Sequence, residues 1–206
     1  MSIILINLKK KSSKIKKQNK IKFLDFIVEM KKIYIIQAHT GTFPSKVIKI
    51  LTKYQYSHIL LSLDTNFDKM YSFGRRTLYN PLNAGFVIES INSKFFKRFS
   101  NTECRVYELT ITDRKYCKLK KLLYKFEKNP EMYQYDIIGL LLKIFNIQVS
   151  RKNHYVCSQF VGEIIEKSDI HKFNKKFETI KPCDFDNLPN SNLLYVGNIK
   201  YISLEM

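Results

Sequence analysis

The order of apolar patterns along this chain predicts an α+β fold. Segments of strand character cluster before about residue 112 and segments of helical periodicity follow it, so the two types are segregated rather than strictly alternating. Size supports a single core: 206 residues with 45% apolar content suffice for one domain and argue against wholesale disorder. The expected arrangement is an antiparallel sheet packed against helices.

Residues 1–32 stand apart from the rest. They hold ten lysines against Asp25 and Glu29, and read as a basic N-terminal arm before a domain over 33–206. The arm is a candidate for weak contact with an anionic polymer or membrane surface. Met30 offers an alternative start, immediately before the first strand. The short apolar run at Met1–Asn7 is followed, not preceded, by Lys9, Lys10 and Lys11, the reverse of a secretory signal. No apolar run approaches the roughly 18 to 20 residues of a membrane span. A cytoplasmic location is the expectation.

The body opens with Ile33-Tyr34-Ile35-Ile36-Gln37, a run of β-branched and aromatic residues that predicts a strand. Pro44 suits the first turn of a helix, expected over 45–53 with Val47, Ile48, Ile50 and Leu51 on its buried side. A strand over 58–64 then places His58, Leu60, Ser62 and Asp64 on one face. The turn-like residues 65–68 lead to a returning strand over 69–74, a loop over 75–84 and a short strand over 85–89. Cys104–Ile111 alternates as a further strand. Thr112 or Asp113 would cap a helix whose buried positions include Tyr116, Leu119, Leu122, Leu123 and Phe126 and which ends at Asn129-Pro130. A core helix over 135–145 precedes a helix that begins near Cys157 and ends near Lys167. A last strand runs over 193–197.

Composition restricts the chemistry. The formal net charge of +18 makes polyanions plausible partners, although the lysines are spread along most of the chain and no specific nucleic-acid contact is expected. Cys104, Cys117, Cys157 and Cys183 form no C-x-x-C pair and have no paired histidine spacing. Neither a zinc site nor a disulfide framework is expected, and no cofactor.

Cys157 has the position a nucleophile needs. Phe160, Val161, Ile164 and Ile165 define one apolar helical face, while Tyr155 and Val156 are β-formers, which puts Cys157 in the first turn. A helix N-terminus carries roughly half a positive charge and can lower a cysteine pKa from about 8.5 towards 7 or below. Its N–H groups can also hold an oxyanion. A cysteine before a helix can equally serve as a small buried hydrophobe. The base must come from elsewhere, and His58 is the candidate. It starts an otherwise apolar strand, and a strand-start imidazole can meet a helix-start thiol where the helix packs on the sheet.

The order Tyr56-Ser57-His58-Ile59, then Tyr71-Ser72-Phe73-Gly74, then Tyr155-Val156-Cys157-Ser158-Gln159-Phe160-Val161 resembles the circularly permuted papain-like cysteine hydrolases. These are the YiiX-like and lecithin–retinol-acyltransferase-like relatives of the NlpC cell-wall peptidases, and the resemblance spans roughly residues 33–200. It implies a papain-like sheet-and-helix domain in which Cys157 is the nucleophile and His58 the general base and acid. The third polar position, which orients the imidazole, would be Ser72, a weaker orienter than a carboxylate. Tyr155 and Ser158 would line the substrate or oxyanion pocket. The implied activity is hydrolysis or acyl transfer on an amide, thioester or ester through a Cys157 thioester, with a peptide, lipid or other small acyl compound as substrate. The rival expectation is an inactive basic module that binds an anionic polymer or membrane surface. Arg75-Arg76 could receive an anionic substrate group.

Overall fold

A computed structural model describes residues 29–41, 49, 53–80, 82–142 and 151–202. The arm up to residue 28 and nearly all of the helix expected over 45–53 lie outside the described residues. The chain divides into two units between Met30 and Lys31, and everything below concerns the second.

Eight strands form one sheet in the order β7-β6-β4-β3-β2-β1-β5-β8. They are β1 (Met30–His39), β2 (His58–Ser62), β3 (Met70–Arg75), β4 (Ala84–Glu89), β5 (Glu103–Thr112), β6 (Gln134–Tyr135), β7 (His154–Tyr155) and β8 (Ser191–Asn198). Among the described residues the longer helical segments are α1 (Lys94–Arg98), α2 (Asp113–Lys128), α3 (Ile137–Leu142) and α4 (Cys157–Lys167). The sheet is mostly antiparallel, the β6–β7 pair being parallel. The result is a mixed α+β architecture. No helix among the described residues is long and apolar enough to cross a membrane.

Local chemistry accounts for the boundaries. The Ser93 hydroxyl accepts from the Phe96 N–H and starts α1. α2 begins at Asp113 as expected, and its buried side is Leu119, Leu123 and Phe126, while Tyr116 and Leu122, also expected inside, flank that side and are only partly buried. The segment expected as one helix over 135–145 starts instead as strand, because Gln134 and Tyr135 pair with His154 and Tyr155. The Asp136 carboxylate then accepts from the Gly139 N–H at 2.9 Å and opens α3. At α4, the Gln159 side chain reaches back to accept from the Val156 N–H at 3.0 Å, which fixes the turn that presents Cys157.

Each face of the sheet buries its own cluster. On one side Ile33, Ile35, Ile59, Leu61, Tyr71, Phe73 and Phe86 pack against α2 and α4. On the other, Tyr34, Ile36, Leu60 and Met70 pack with Phe67, Phe96 and Ile199. The period-2 alternation of β1 and β2 feeds both, which is why these strands read as continuous apolar runs. Phe160 anchors α4: its ring lies 5.1 Å from Phe73, 5.6 Å from Phe86 and 5.0 Å from Phe126, centroid to centroid. Gly162 lets the helix approach the chain beyond it, since a Cβ there would lie 2.6 Å from Ile180 Cδ1.

Phe160→Ala is expected to destabilise the domain by about 3–5 kcal/mol, read as a lower denaturant midpoint at unchanged slope. Ile88→Ala, at a position 44% exposed, serves as the control with a change under about 1 kcal/mol.

Candidate active site

The site lies where the sheet comes apart. Between β2 and β3 the ladder pairs Leu61 with Tyr71 and Ser62 with Met70 only. Towards Ser57 and His58 the two strands diverge, and the N-terminus of α4 enters the gap. There the Cys157 thiol donates to the Ser57 carbonyl at 3.9 Å, a long contact tolerable for sulfur. Cys157 is buried.

Electrostatically, Cys157 and His58 behave as a pair. Burial alone would raise the thiol's pKa. Hydrogen bonding to His58 and the imidazolium's charge outweigh it, helped by the N–H groups of Ile59 and Ser158, and the net shift is downward. Burial would lower the His58 pKa, but the neighbouring Cys157 sulfur and Glu89 carboxylate, through contact and charge, push it up to about 10. Each partner's charged form favours the other's. This mutual support is the electrostatic condition that a thiolate–imidazolium pair requires.

The third group differs from expectation. Ser72 is fully buried and its hydroxyl donates to the Ile59 carbonyl at 2.6 Å. That bond stands in for part of the missing β2–β3 ladder and occupies the hydroxyl's proton. The group that faces the imidazole is Glu89, at the end of β4, with Oε2 3.8 Å from His58 Nε2. At that distance the contact is an ion pair rather than a tight hydrogen bond, and Oε2 has no hydrogen-bond partner. Gly74 makes room for the arrangement: a Cβ there would lie 3.3 Å from Glu89 Oε1 and 3.6 Å from His58 Cε1.

Ser158 and Tyr155 are both tied into the packing around the site. The Ser158 hydroxyl is buried and donates to the Ile180 carbonyl at 2.7 Å, so only its backbone N–H serves the sulfur. The Tyr155 ring packs 5.1 Å from Phe73 and 5.9 Å from Phe126 as a core aromatic. Its hydroxyl pKa is raised by burial and by the Glu163 carboxylate. His154 is held away from the site, Nε2 against Arg151 at 2.9 Å and Nδ1 against the Lys152 carbonyl at 2.8 Å. Arg76 is committed to structure: it donates to the carbonyls of Pro130 and Tyr133 at 2.8 and 2.7 Å and pairs with Glu131 at 3.2 Å.

Sequence reasoning passed over a second polar group. Tyr135, half-buried on β6, has its pKa held well above the ordinary range by burial first, then by the charge of Cys157 and of Asp136. It therefore lies within electrostatic reach of the sulfur and stays a neutral O–H donor. The signals in the chain were a glutamate closing the apolar run Gly85–Glu89 and a Tyr-Asp pair at the head of an apolar segment. Neither is distinctive alone. Among the described residues no group of three or more His, Cys, Asp or Glu is placed to hold a metal ion.

Gly74→Val is expected to wedge imidazole and carboxylate apart. The second-order rate of Cys157 carbamidomethylation at pH 7 should fall at least fivefold while far-UV circular dichroism stays unchanged. Compared with known proteins, the chain matches no family model, no curated protein and no solved structure.

Proposed function

We propose that the chain is a cysteine hydrolase or acyltransferase that works through a Cys157 thioester, with His58 as general base and acid. The observation that carries this reading is geometric: a buried sulfur in the first turn of α4 lies 3.9 Å from the carbonyl of Ser57, the residue before His58, whose ring faces the Glu89 carboxylate, and the two groups shift each other's pKa towards their charged forms. Glu89, not Ser72, is the group that holds the imidazolium in this reading. The permuted papain-like fold is part of the same proposal, supported by the His-strand-before-Cys-helix order and by the packing of α4 on β2 and β3.

The chemistry runs as follows. The thiolate attacks the carbonyl carbon of an amide, thioester or ester, forming a C–S bond and moving the π electrons onto oxygen. N–H groups of the first turn of α4 and the Tyr135 hydroxyl are the donors on the sulfur's side for that oxyanion. The imidazolium gives its proton to the leaving nitrogen, sulfur or oxygen as that bond breaks, leaving a thioester. Water, or an acceptor hydroxyl or amine, then attacks while His58 takes the proton. The C–S bond breaks and the thiolate–imidazolium pair is restored.

The rival reading, a basic binding module, draws on the exposed side of α2. Arg114, Lys118, Lys121, Lys125 and Lys128 recur there at helical spacing and form a cationic stripe facing solvent. The stripe is separate from the Cys157–His58 pair, and the two readings can hold of one molecule.

Iodoacetamide should label Cys157 faster than Cys104, Cys117 or Cys183 below pH 7.5, its rate falling only as pH drops through the lowered thiol pKa. In His58→Ala the imidazole whose contact and charge lower that pKa is gone, and burial raises it. The profile should then move above the range of a free thiol and the rate at pH 7 fall at least tenfold. An unmoved profile in His58→Ala would sink the proposal. Glu89→Gln removes one support of the imidazolium and should cost less, about threefold in the same rate, with the profile displaced in the same direction.

A further inference from the structure

The register of the sheet places three residues in one row beside the sulfur. Arg75 pairs with Ala84 across β3 and β4. Gly85 pairs with Gln134 across β4 and β6, so the next step of that ladder sets Ala84 opposite Tyr135. By strand alternation Arg75 continues the face of Tyr71 and Phe73, the face against which α4 packs. Tyr135 on the same row is coupled electrostatically to Cys157. Counted on from the Leu61–Tyr71 pair, Ser57 stands level with Arg75, and the Ser57 carbonyl lies 3.9 Å from the Cys157 sulfur. Ala84, the smallest side chain of the row, separates Arg75 from Tyr135, whose Cα atoms stand about 10 Å apart by two strand spacings. The row thus sets a cation and a phenol on either side of a small side chain, on one face of the sheet.

Arg75 is also the odd cation of this region. Its neighbour Arg76 is spent on carbonyls and Glu131. Arg75 is half-buried and has no carboxylate partner among the described residues; burial alone perturbs its guanidinium, and downward. A partly desolvated guanidinium without a counter-charge is costly to hold, and a planar anion repays that cost through a bidentate contact.

We infer that Arg75 recognises the substrate: the acyl group transferred to Cys157 carries a carboxylate a few carbons beyond the scissile carbonyl, and that carboxylate docks on the Arg75 guanidinium. The inference rests on the proposed Cys157 chemistry and adds the substrate class to it.

The test compares acylation of Cys157 by p-nitrophenyl hemiglutarate and by p-nitrophenyl butyrate, read by mass spectrometry as the thioester formed when p-nitrophenolate leaves. Cys117, exposed on α2 among lysines, reports the general pull of a chain of net charge +18 on an anionic ester. The hemiglutarate-to-butyrate rate ratio at Cys157 should exceed that at Cys117 at least tenfold. In Arg75→Ala it should come within twofold of Cys117, while Arg75→Lys keeps at least a third of it. A Cys157 ratio that Arg75→Ala, or Arg75→Gln should the alanine protein not fold, changes by less than twofold overturns the inference. A second arm separates this result from failure of the thiolate reading. Cys157→Ala protein titrated with glutarate in a calorimeter should bind it, and adding Arg75→Ala should weaken binding at least tenfold. Absence of glutarate binding by Cys157→Ala overturns the carboxylate site even where Cys157 is acylated. Failure of both esters to acylate Cys157 defeats the nucleophile, and the glutarate titration then decides Arg75 alone.

Discussion

The candidate site depends on one constraint: two strands that begin as partners must separate before they end. β2 and β3 pair at Leu61 and Ser62 and then part, and the first turn of α4 fills the opening. Sheet sterics oppose such a gap, because every unpaired backbone group inside it must find a partner. Here the partners are specific. Ser72 takes the Ile59 carbonyl, the Ile59 N–H points to the sulfur, and the Ser57 carbonyl receives the thiol. Residues that would ordinarily hold a sheet together hold a thiol in place instead.

The two sides of the sheet divide the labour. The face under α2 and α4 is rich in aromatic residues, with Phe73, Phe86, Phe126 and Phe160 packed ring against ring, and it fixes the position of the helix that carries Cys157. At the edge of that cluster the character changes within a residue or two. Phe73 gives way to Gly74 and Arg75, and Phe86 is followed towards the hairpin by Gly85 and Ala84. Small residues there leave room for an imidazole, a carboxylate and a guanidinium that a continuous apolar face would exclude.

How much of this could be read from the chain depends on how local each signal was. Cys157 was legible because helical periodicity begins just after it and β-formers precede it. His58 was legible because it heads an apolar strand. The segregation of strands from helices was visible for the same reason: long amphipathic patterns announce themselves. The third group was not. Ser72 occupied the expected place on the following strand, but that expectation assumed an intact β2–β3 pairing. Once the strands diverge, a longer side chain one strand further along, Glu89, is the one that reaches the ring. The pairs of residues in β6 and β7 were too short to show any period, and a five-residue α1 held too few apolar positions to count. Tyr135 was hidden by the same brevity, absorbed into the helix that follows it. Non-local pairing decided each miss.

The Ser72 hydroxyl has a meaning beyond the bond it makes. A side chain two heavy atoms long, bridging from one strand to the other's carbonyl, acts as a spacer of fixed width. Shorten it and the carbonyl is left bare; lengthen it and the opening is forced wider than one sulfur needs. Threonine keeps both the gauge and the hydroxyl, and its extra methyl would have to find room at a position with no exposed surface at all.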